Sequence, residues 1–481
     1  MPSKVNIRQL PSGVPGLDEL LGGGIPEYSF NLIAGVPGSG KTTLAHQMMF
    51  SLATPERRAL FFTVLGEPPL KMLRYQQQFS FFEVAKINQS IRYVNLAADL
   101  LEGDFAKVLA RIDEEVRLFA PSLVFVDSFR SVMQSSATHE SDAHALQHFV
   151  QQIGLKMSSW QATTFLIGEH MSPELESSPI FTVADGIIWM SQLVHQDSMA
   201  RKIQVVKMRG QAQKLCLHTF RIGQDGLEIF PRALFPLTPH IPGDKRLSMG
   251  QPVLDAMMGG GLPAAYSLLL VGPSGSGKTL LATEFLAEGV RLGEPGVIAA
   301  FEKSPNQLLS HKLNQMITRK EVGLIDTRAL DLSIDEILHN MVVMIQSMGA
   351  KRVVIDSISG FELALASVFR ENFRESLYRM VALLTGMGVT VVMIAELEDR
   401  YMDLRFSSYG NAFLADAIVM QRYVELAGQL RRVISVVKIR ASAHSKDIRL
   451  YEVQQGQLHI EALPLPCNSI LSGRPHMQEA R

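Results

Sequence analysis

The sequence predicts an α/β protein made of two tandem domains, each a mostly parallel β-sheet flanked by helices. Three observations lead to this prediction: one long unit occurs twice, short apolar runs alternate with helical segments, and each copy carries a phosphate-loop motif. The chain has 481 residues, which is enough for two large domains or three of ordinary size. The duplication favours two.

The duplication is visible as matched segments that follow one another in the same order. LDELLGGGIP at 17–26 returns as LDAMMGGGLP at 254–263, and GVPGSGKTTLA at 35–45 returns as GPSGSGKTLLA at 272–282, both at an offset of 237 residues. A period this long indicates a duplicated domain rather than a solenoid. Prolines and a glycine interrupt the pattern at 238–243. We therefore predict a first domain over 1–240 and a second over 241–481.

The local pattern predicts which segments form the sheet and which cover it. Apolar runs rich in Val, Ile, Leu and Phe are typical of strands buried on both faces, and they occur at 30–34, 59–65, 123–126 and 164–167. Helices are expected where polar faces recur at helical spacing, at 104–119 and 142–160. Short strands of a terminal hairpin region are expected at 203–208 and 227–230. The apolar stretch 380–395 is too short for a membrane span and predicts a buried helix, a turn and a strand.

Composition narrows the class of protein. Lys and Arg number 46 against 47 Asp and Glu, a net charge of −1, so there is no overall attraction to nucleic acid or to an anionic membrane. The two cysteines, Cys216 and Cys467, are far apart, which argues against a disulfide framework or a cysteine-based metal site. The first residues have no apolar core of a secretory signal. We expect a cytoplasmic protein with no membrane partner.

The motif GxxxxGK[ST] occurs in each half, after an apolar strand and before a helix, which is the context that a phosphate loop requires. The glycines let backbone N–H groups surround phosphates at the positive end of the helix, the lysine reaches the β- and γ-phosphates, and the threonine hydroxyl binds Mg²⁺. The predicted cofactors are therefore ATP and Mg²⁺. The predicted binding residues are Gly35, Gly38, Ser39, Gly40, Lys41, Thr42 and Thr43 in the first half, and Gly272, Gly275, Ser276, Gly277, Lys278, Thr279 and Leu280 in the second.

An aspartate ends an apolar strand in each half, Asp127 in the first and Asp356 in the second. At the carboxyl edge of a parallel sheet such an aspartate can hold Mg²⁺ through water, together with Thr42 and Thr279 of the loops. The alternative is that each aspartate only caps the helix that follows. Its repetition beside a phosphate loop favours the metal role.

Hydrolysis also needs a carboxylate that orients or deprotonates the attacking water. The candidates are Glu67 in TVLGEPP and Glu302 in AAFEKSP, each just after the strand that follows the phosphate-loop helix. Ordinary loop glutamates are the alternative explanation.

Two cations stand two residues apart on a strand near the end of each half, Lys207 with Arg209 and Lys438 with Arg440. This spacing places both on one face of the strand. A solvated basic face would explain one such pair. Because both copies recur at the same place, we predict that they reach the nucleotide of a neighbouring subunit, as arginine fingers do in trans.

With these motifs assembled, the chain resembles the KaiC family, the double-domain RecA-like ATPases of the cyanobacterial clock and their relatives in other bacteria. The resemblance rests on the GGG-[IL]-P entry, both GSGKT loops, the VDS and IDS strand ends, KMRG at 207–210 and EIFPRA at 228–233. It extends from residue 17 to residue 475. It implies tandem RecA-like P-loop NTPase domains, a homo-hexamer of two stacked rings assembled with ATP, ATP at every subunit interface, and a signalling or clock-like protein partner.

Departures from the family pattern bear on activity. KaiC domains usually carry two adjacent glutamates at the catalytic position, whereas this chain has Gly66-Glu67 and Glu302-Lys303, so slow or altered turnover is expected. The positions that clock KaiC phosphorylates correspond to Ala412 and Phe413, which have no hydroxyl group. Ser407 and Ser408 are the nearest alternatives.

The sequence is compatible with four functions. A KaiC-like ATPase in timing or signalling is the one that the motifs favour most. A serine/threonine autokinase of the KaiC type is opposed by Ala412 and Phe413. A RecA-like nucleic-acid motor is opposed by the net charge, with only the basic segment 201–214 in its favour. A nucleotide-binding ring that barely hydrolyses is suggested by the single glutamates.

Overall fold

The computed structural model describes residues 7–63, 69–97, 99, 105–127, 152–157, 159–169, 179–195, 198–214, 216–232, 244–301, 311–326, 333–370, 373–397, 414–426, 428–465, 467–468 and 476–477. The chain divides into two compact units, one formed by 1–195 and 199–233 and the other by 196–198 and 234–481. The segment 238–243, where the sequence predicts the domain border, lies outside the described residues.

The strands of the first unit are β1 (Gln9–Leu10), β2 (Ile25–Pro26), β3 (Phe30–Gly35), β4 (Ala59–Thr63), β5 (Ile91–Asn95), β6 (Leu123–Asp127), β7 (Thr163–Glu169), β8 (Gly186–His195), β9 (Ser198–Met208), β10 (His218–Gly223) and β11 (Gly226–Phe230). β1 and β2 form a small antiparallel sheet. The other nine form one sheet in the order β11-β10-β9-β8-β3-β7-β6-β4-β5. The strands from β5 to β8 in this order pair in parallel, and β9, β10 and β11 pair antiparallel.

Helices cover both faces of this sheet. They are α1 (Leu17–Leu21), α2 (Lys41–Leu52), α3 (Pro69–Gln76), a 3₁₀ helix (Val84–Lys86), α4 (Phe105–Phe119), α5 (Pro179–Val183) and a helical segment at 152–157. All six residues of β3 are buried, and successive side chains point to opposite faces. Ile33 belongs to a core with Leu44 of α2, while Leu32 belongs to a second core with Val108 of α4. The continuous apolar run of β3 follows from this burial on both sides.

The second unit repeats this topology strand for strand. Its strands are β12 (Arg246–Leu247), β13 (Leu262–Pro263), β14 (Ser267–Gly272), β15 (Gly296–Ala300), β16 (Val322–Asp326), β17 (Arg352–Asp356), β18 (Thr390–Glu396), β19 (Ala417–Leu426), β20 (Gln429–Ile439), β21 (Ile448–Gln454), β22 (Gln457–Ile460), β23 (Cys467–Asn468) and β24 (His476–Met477). The nine-stranded sheet has the order β16-β15-β17-β18-β14-β19-β20-β21-β22, with β12-β13 and β23-β24 as separate pairs. Six strands pair in parallel and the last three antiparallel.

The helices of the second unit are α6 (Pro252–Met257), α7 (Lys278–Arg291), α8 (His311–Thr318), α9 (Ile334–Met348), α10 (Ile358–Ala364), α11 (Ser367–Arg370) and α12 (Phe373–Gly386). The central strand β14 is buried throughout, like β3. Its Leu268 and Leu270 pack in a core with Leu281 and Phe285 of α7. The repeat seen in the sequence is thus a repeat of one fold.

The predicted α/β class is confirmed: two large, mostly parallel sheets are flanked by helices. The helix-turn-strand prediction for 380–395 is also confirmed, because α12 ends at Gly386 and β18 begins at Thr390. The strand expected at 203–208 is longer than predicted, since β9 begins at Ser198 and buries Ala200 and Lys202 along one face. None of the helices in the described part of the chain combines the length and apolar surface that crossing a bilayer requires.

Candidate nucleotide-binding sites

Each phosphate loop joins the central strand of its sheet to the next helix, β3 to α2 and β14 to α7. Gly40 precedes α2 with φ at +97° and Gly277 precedes α7 with φ at +98°. Glycine adopts this left-handed region without steric cost. A Cβ at Gly40 would also lie 2.7 Å from Ile222 Cδ1. The loop backbone therefore requires the last glycine of the motif.

The loop lysines are folded against their own loops. Lys41 Nζ donates to the carbonyl of Val36 at 2.7 Å, and Lys278 Nζ donates to the carbonyls of Gly272 and Pro273, both at 2.8 Å. Both lysines are largely buried. Their ammonium groups are therefore held inside the curve of the loop, where phosphate oxygens bind in phosphate loops.

In each unit the threonine of the phosphate loop contacts the aspartate that ends another strand of the sheet. Thr42 Oγ1 donates to Asp127 Oδ2 at 2.7 Å, and Thr279 Oγ1 donates to Asp356 Oδ2 at 2.8 Å. Each aspartate ends a strand that runs parallel to the central strand of its sheet. The carboxyl ends of parallel strands meet at one edge, so the fold itself brings the loop threonine to the strand-end aspartate.

Burial raises the pKa of Asp127 to about 6, the hydrogen bond from Thr42 and the charge of Lys41 oppose this rise, and the charge of Glu169 adds to it. An ionised Asp127 is therefore an incompletely compensated buried charge. A hydroxyl and a carboxylate are oxygen donors that suit Mg²⁺, an ion that keeps several waters and phosphate oxygens as ligands. In the described part of the chain, no three His, Cys, Asp or Glu side chains form a metal cluster. The donors present thus fit a partly hydrated Mg²⁺.

A cavity of about 350 Å³ opens beside each loop. The predicted residues that line the first are Gly38, Gly40, Lys41, Thr42, Thr43 and Asp127. Those that line the second are Gly275, Gly277, Lys278, Thr279, Leu280 and Asp356. The remaining predicted loop residues do not line the cavities: Gly35 and Gly272 end the central strands, and Ser39 and Ser276 are fully buried.

Several predicted residues lie outside the described part of the chain. They are the catalytic candidates Glu67 and Glu302, and the segment that contains Ser407, Ser408, Ala412 and Phe413. Their predicted roles stay predictions.

The predicted trans-acting cations do not reach the cavity of their own unit. Arg209 Nη1 lies 3.1 Å from Asp185 Oδ1, and Asp185 Oδ2 accepts the backbone N–H of Phe30, the first residue of β3. Lys207 Nζ donates to two backbone carbonyls, those of residues 181 and 182 at the end of α5. The cations therefore lie at the amino edge of the sheet, and the phosphate loop lies about 17 Å away at the other end of β3.

The second unit has the same arrangement. Arg440 Nη1 lies 3.3 Å from Asp416 Oδ1, and Asp416 Oδ2 accepts the N–H of Ser267 at the start of β14. Burial lowers the pKa of Lys438, the nearby Arg440 lowers it further, and Asp416 opposes both. Burial and then Arg209 lower the pKa of Lys207 in the same way.

Sequence reasoning missed the glutamates that end β7 and β18. Glu169 lines the first cavity, and Glu396 lines the second with its Oε1 4.0 Å from Lys278 Nζ. Each ends a segment that recurs in the other half, TTFLIGE at 163–169 and TVVMIAE at 390–396, so the repeat carried a signal for them. Arg432 of β20 also lines the second cavity, and it lies 5.5 Å from the ring of Tyr423.

A family model for the KaiC ATPase matches the chain twice, over residues 10–233 and 247–464. The chain belongs to the KaiC ATPase family. The predicted resemblance is thereby confirmed, and the chain is a KaiC-like ATP-binding protein with two KaiC ATPase domains. It is similar to the circadian clock protein KaiC3 of Synechocystis sp. (strain ATCC 27184 / PCC 6803 / Kazusa), with 27% identity over 98% of this chain and 95% of the relative.

Other KaiC proteins are similar to the same extent. The circadian clock oscillator protein KaiC of Picosynechococcus sp. (strain ATCC 27264 / PCC 7002 / PR-6) is 26% identical over 98% of this chain and 92% of its own length. KaiC of Prochlorococcus marinus (strain MIT 9313) is 24% identical over 98% of this chain and 97% of its own length. The likeness to KaiC proteins thus covers both ATPase domains.

Proposed function

We propose that this protein hydrolyses ATP with Mg²⁺ at two sites per chain, and that each site is completed by a neighbouring subunit of a hexamer. One repeated observation carries the proposal. In each half a phosphate-loop lysine, a threonine and a buried strand-end aspartate meet at a cavity of about 350 Å³. This combination of groups suits a nucleotide with a charged phosphate chain and a hard cation.

Each group has a distinct role in the proposal. Lys41 and Lys278 bind the β- and γ-phosphates, and the backbone N–H groups of the loops surround them. Thr42 and Asp127 would hold Mg²⁺ in the first site, as Thr279 and Asp356 would in the second. When bound, the ion supplies positive charge to the phosphate oxygens. Glu67 and Glu302 are proposed to orient the attacking water.

The placement of the cations supports a shared site. Arg209 and Arg440 are held at the amino edge of their sheets, about 17 Å from the loop of the same unit. A side chain cannot bridge that distance, so any contact with nucleotide must be made outside the same unit, and we propose that it is made with a neighbouring subunit. Head-to-tail contacts generate a ring when the rotation between successive subunits closes. This favours the hexamer that the KaiC family membership suggests.

The biological output is proposed from the relatives. Two of them are named as circadian clock oscillator proteins and one as a circadian clock protein. We therefore place the ATPase in timing or signalling, with a signalling or clock-like protein as partner.

One product assay tests the activity. ATP labelled at the γ-phosphate is incubated with the full chain, and free phosphate and labelled protein are both measured. We expect free phosphate, reduced by Lys41→Ala and by Lys278→Ala to unequal extents and abolished by the double variant. Unchanged nucleotide binding and turnover in the double variant would refute the site assignment. Stoichiometric label at Ser407–Ser408 would instead favour an autokinase.

Light scattering tests the assembly. Saturating ATP and Mg²⁺ should produce a particle of six chains, each of 53.2 kDa. A monomer that persists under these conditions would refute the hexamer.

A further inference from the structure

Glu169 and Glu396 occupy equivalent places beside the two phosphate loops. The parallel register pairs Glu169 with Gly35 and Glu396 with Gly272, the first glycine of each loop. Side chains two residues apart on a strand share a face. Ile167 lies in the core beneath α2, so Glu169 lies on the face that carries the phosphate-loop helix.

The second unit follows the same rule. Ile394 lies in the core with residues of α7 and also lines the second cavity, two residues before Glu396. Glu169 therefore projects into the first cavity from β7, and Glu396 projects into the second from β18. Neither strand leads into a phosphate loop or ends in one of the two aspartates. Neither residue belongs to the set of phosphate and metal ligands described above.

These glutamates change the charge of the cavities. Within the described part of the chain, the charged side chains that line the first cavity are Lys41, Asp127 and Glu169. Those that line the second are Lys278, Arg432, Asp356 and Glu396. The first set has one cation for two carboxylates, whereas the second set is balanced. The glutamate is thus a second negative charge in each cavity.

The short distance between Glu396 and Lys278 places this negative charge near the terminal phosphate of a bound nucleotide. Glu396 Oε1 lies 4.0 Å from Lys278 Nζ, and its side chain is half exposed. The lysine of a phosphate loop contacts the β- and γ-phosphates. A carboxylate this close competes with the γ-phosphate for the same ammonium and repels it. In the first cavity, the charge of Glu169 reaches far enough to raise the pKa of Asp127.

From this geometry we infer that Glu169 and Glu396 are specificity-determining residues that weaken binding of a nucleoside triphosphate relative to the diphosphate. The inference rests on the proposed ATP site and deepens it. The repulsion acts on the terminal phosphate of ATP more than on ADP, which carries about one negative charge fewer.

The test measures binding of both nucleotides at one site of the full chain. Lys41→Ala silences the first site, and the second is then titrated with ADP and with a non-hydrolysable ATP analogue, in Mg²⁺ and again with EDTA. Adding Glu396→Gln should raise the affinity ratio of analogue to ADP by about tenfold, with the larger effect in EDTA, where no ion screens the phosphates. The Lys278→Ala background with Glu169→Gln tests the first site in the same way.

Matched controls remove the same charge elsewhere. Glu461, directly after β22 in the second unit, and Glu228, on β11 in the first, are both exposed and lie outside the cavities, so Glu461→Gln and Glu228→Gln should leave the ratio unchanged. Tight binding of both nucleotides with an unaltered ratio in the cavity variants would overturn this inference alone. A loss of turnover without a change in ratio would also overturn it, because that outcome indicates a catalytic base. If the unsubstituted chain binds neither nucleotide, the proposed function fails together with this inference.

Discussion

Arg440 and Asp416 form an ion pair of 3.3 Å, and the same carboxylate accepts the backbone N–H and the hydroxyl of Ser267 through its other oxygen. Asp416 thus connects the start of the central strand to the arginine. Arg209 and Asp185 repeat this arrangement in the first unit. Each arginine is therefore held by an aspartate that is hydrogen-bonded to the first residue of the central strand. It lies at the edge of the sheet opposite the phosphate loop.

This arrangement predicts complementation between two inactive variants. In a Lys41→Ala background, Lys278→Ala removes the loop lysine and Arg440→Ala removes the proposed trans-acting cation. Each variant alone should hydrolyse almost no ATP. When the two are dissociated, mixed equally and reassembled, about a quarter of the head-to-tail interfaces combine an intact loop with an intact arginine.

The mixture should therefore regain about that share of the rate of the Lys41→Ala parent. Phosphate release is the measurement, and each variant mixed with itself is the control. A mixture no more active than its separate components would show that Arg440 does not act across a subunit interface.

The burial of Asp127 predicts a stability change that opposes its proposed role as a metal ligand. Its folded-state pKa of about 6 lies above the 3.8 of an aspartate in the unfolded chain, so the stability from the protonated form is complete below pH 3.8 and is lost as pH rises through 6. Asp127→Asn removes this loss of stability, because an amide does not ionise. At pH 7.5 in EDTA the free energy of unfolding of the variant should exceed that of the parent by about 3 kcal/mol, and this gain should vanish near pH 4.

Both tryptophans, Trp160 and Trp189, lie in the first unit, so their fluorescence during urea unfolding reports on that unit. Glu228→Gln controls for the loss of one carboxylate. The same Asp127→Asn substitution should lower Mg²⁺-dependent turnover about 10–100-fold. Equal stability of the variant and the parent across the pH range would contradict the burial of an uncompensated charge.

The sequence predicted those parts of the site that depend on local chain order. A phosphate loop needs only a strand, a motif and a helix in succession, and the strand-end aspartates follow because parallel strands share a carboxyl edge. Glu169 and Glu396 were missed because an acidic residue at a strand end is usually an ordinary surface residue. Only the register against Gly35 and Gly272 places them in the cavities.

The position of the cations also required the full topology. Spacing placed Lys207 and Arg209 on one face of a strand, but the direction of β9 and its neighbours decides which edge they occupy. Likewise, nothing in RVVID distinguishes a buried Arg352 from an exposed one, because its partners are Glu294 and carbonyls that are distant in sequence.

Substitution of the buried Arg352 should lower the stability of the second unit strongly. Its side chain is 1% exposed, donates to the carbonyls of Ser248 and Phe285 at 2.8 and 3.0 Å, and pairs with Glu294 at 3.2 Å. Arg352→Met fills similar volume but leaves these acceptors without their donor. The free energy of unfolding should fall by about 3–5 kcal/mol.

Hydrogen exchange of peptides from β17 and α7 measures this loss. The exposed Arg291, which pairs with Glu288, offers the control, because Arg291→Met removes a cation from the surface of the same unit and should change exchange little. Unaltered protection of β17 in Arg352→Met would show that the buried arginine is dispensable.

The buried His46 should make the stability of the first unit, but not of the second, sensitive to acid. Its ring is fully buried, 4.5 Å from the ring of Phe61 and 6.1 Å from that of Tyr93, and its Nδ1 lies 2.7 Å from the carbonyl oxygen of Thr42. Burial lowers the pKa of His46 to about 4, and the hydrogen bond to Thr42 opposes this shift. The equivalent residue of the second unit, Thr283, makes the same contact to Thr279 through a hydroxyl that does not titrate.

The sign of the effect follows from the two pKa values. The unfolded chain binds a proton at His46 near pH 6.5, whereas the folded chain does so only near pH 4, so stability falls as pH decreases through this window. The fall should reach about 3 kcal/mol at its lower end. His46→Phe keeps an aromatic ring in the core and removes the titration. Tryptophan fluorescence during urea unfolding at pH 7, 6, 5 and 4 should therefore show a flatter pH dependence for His46→Phe than for the parent, whatever the constant cost of the lost hydrogen bond. Parallel pH profiles of the two proteins would mean that His46 is protonated equally in the folded and unfolded chains, which its full burial against two aromatic rings argues against.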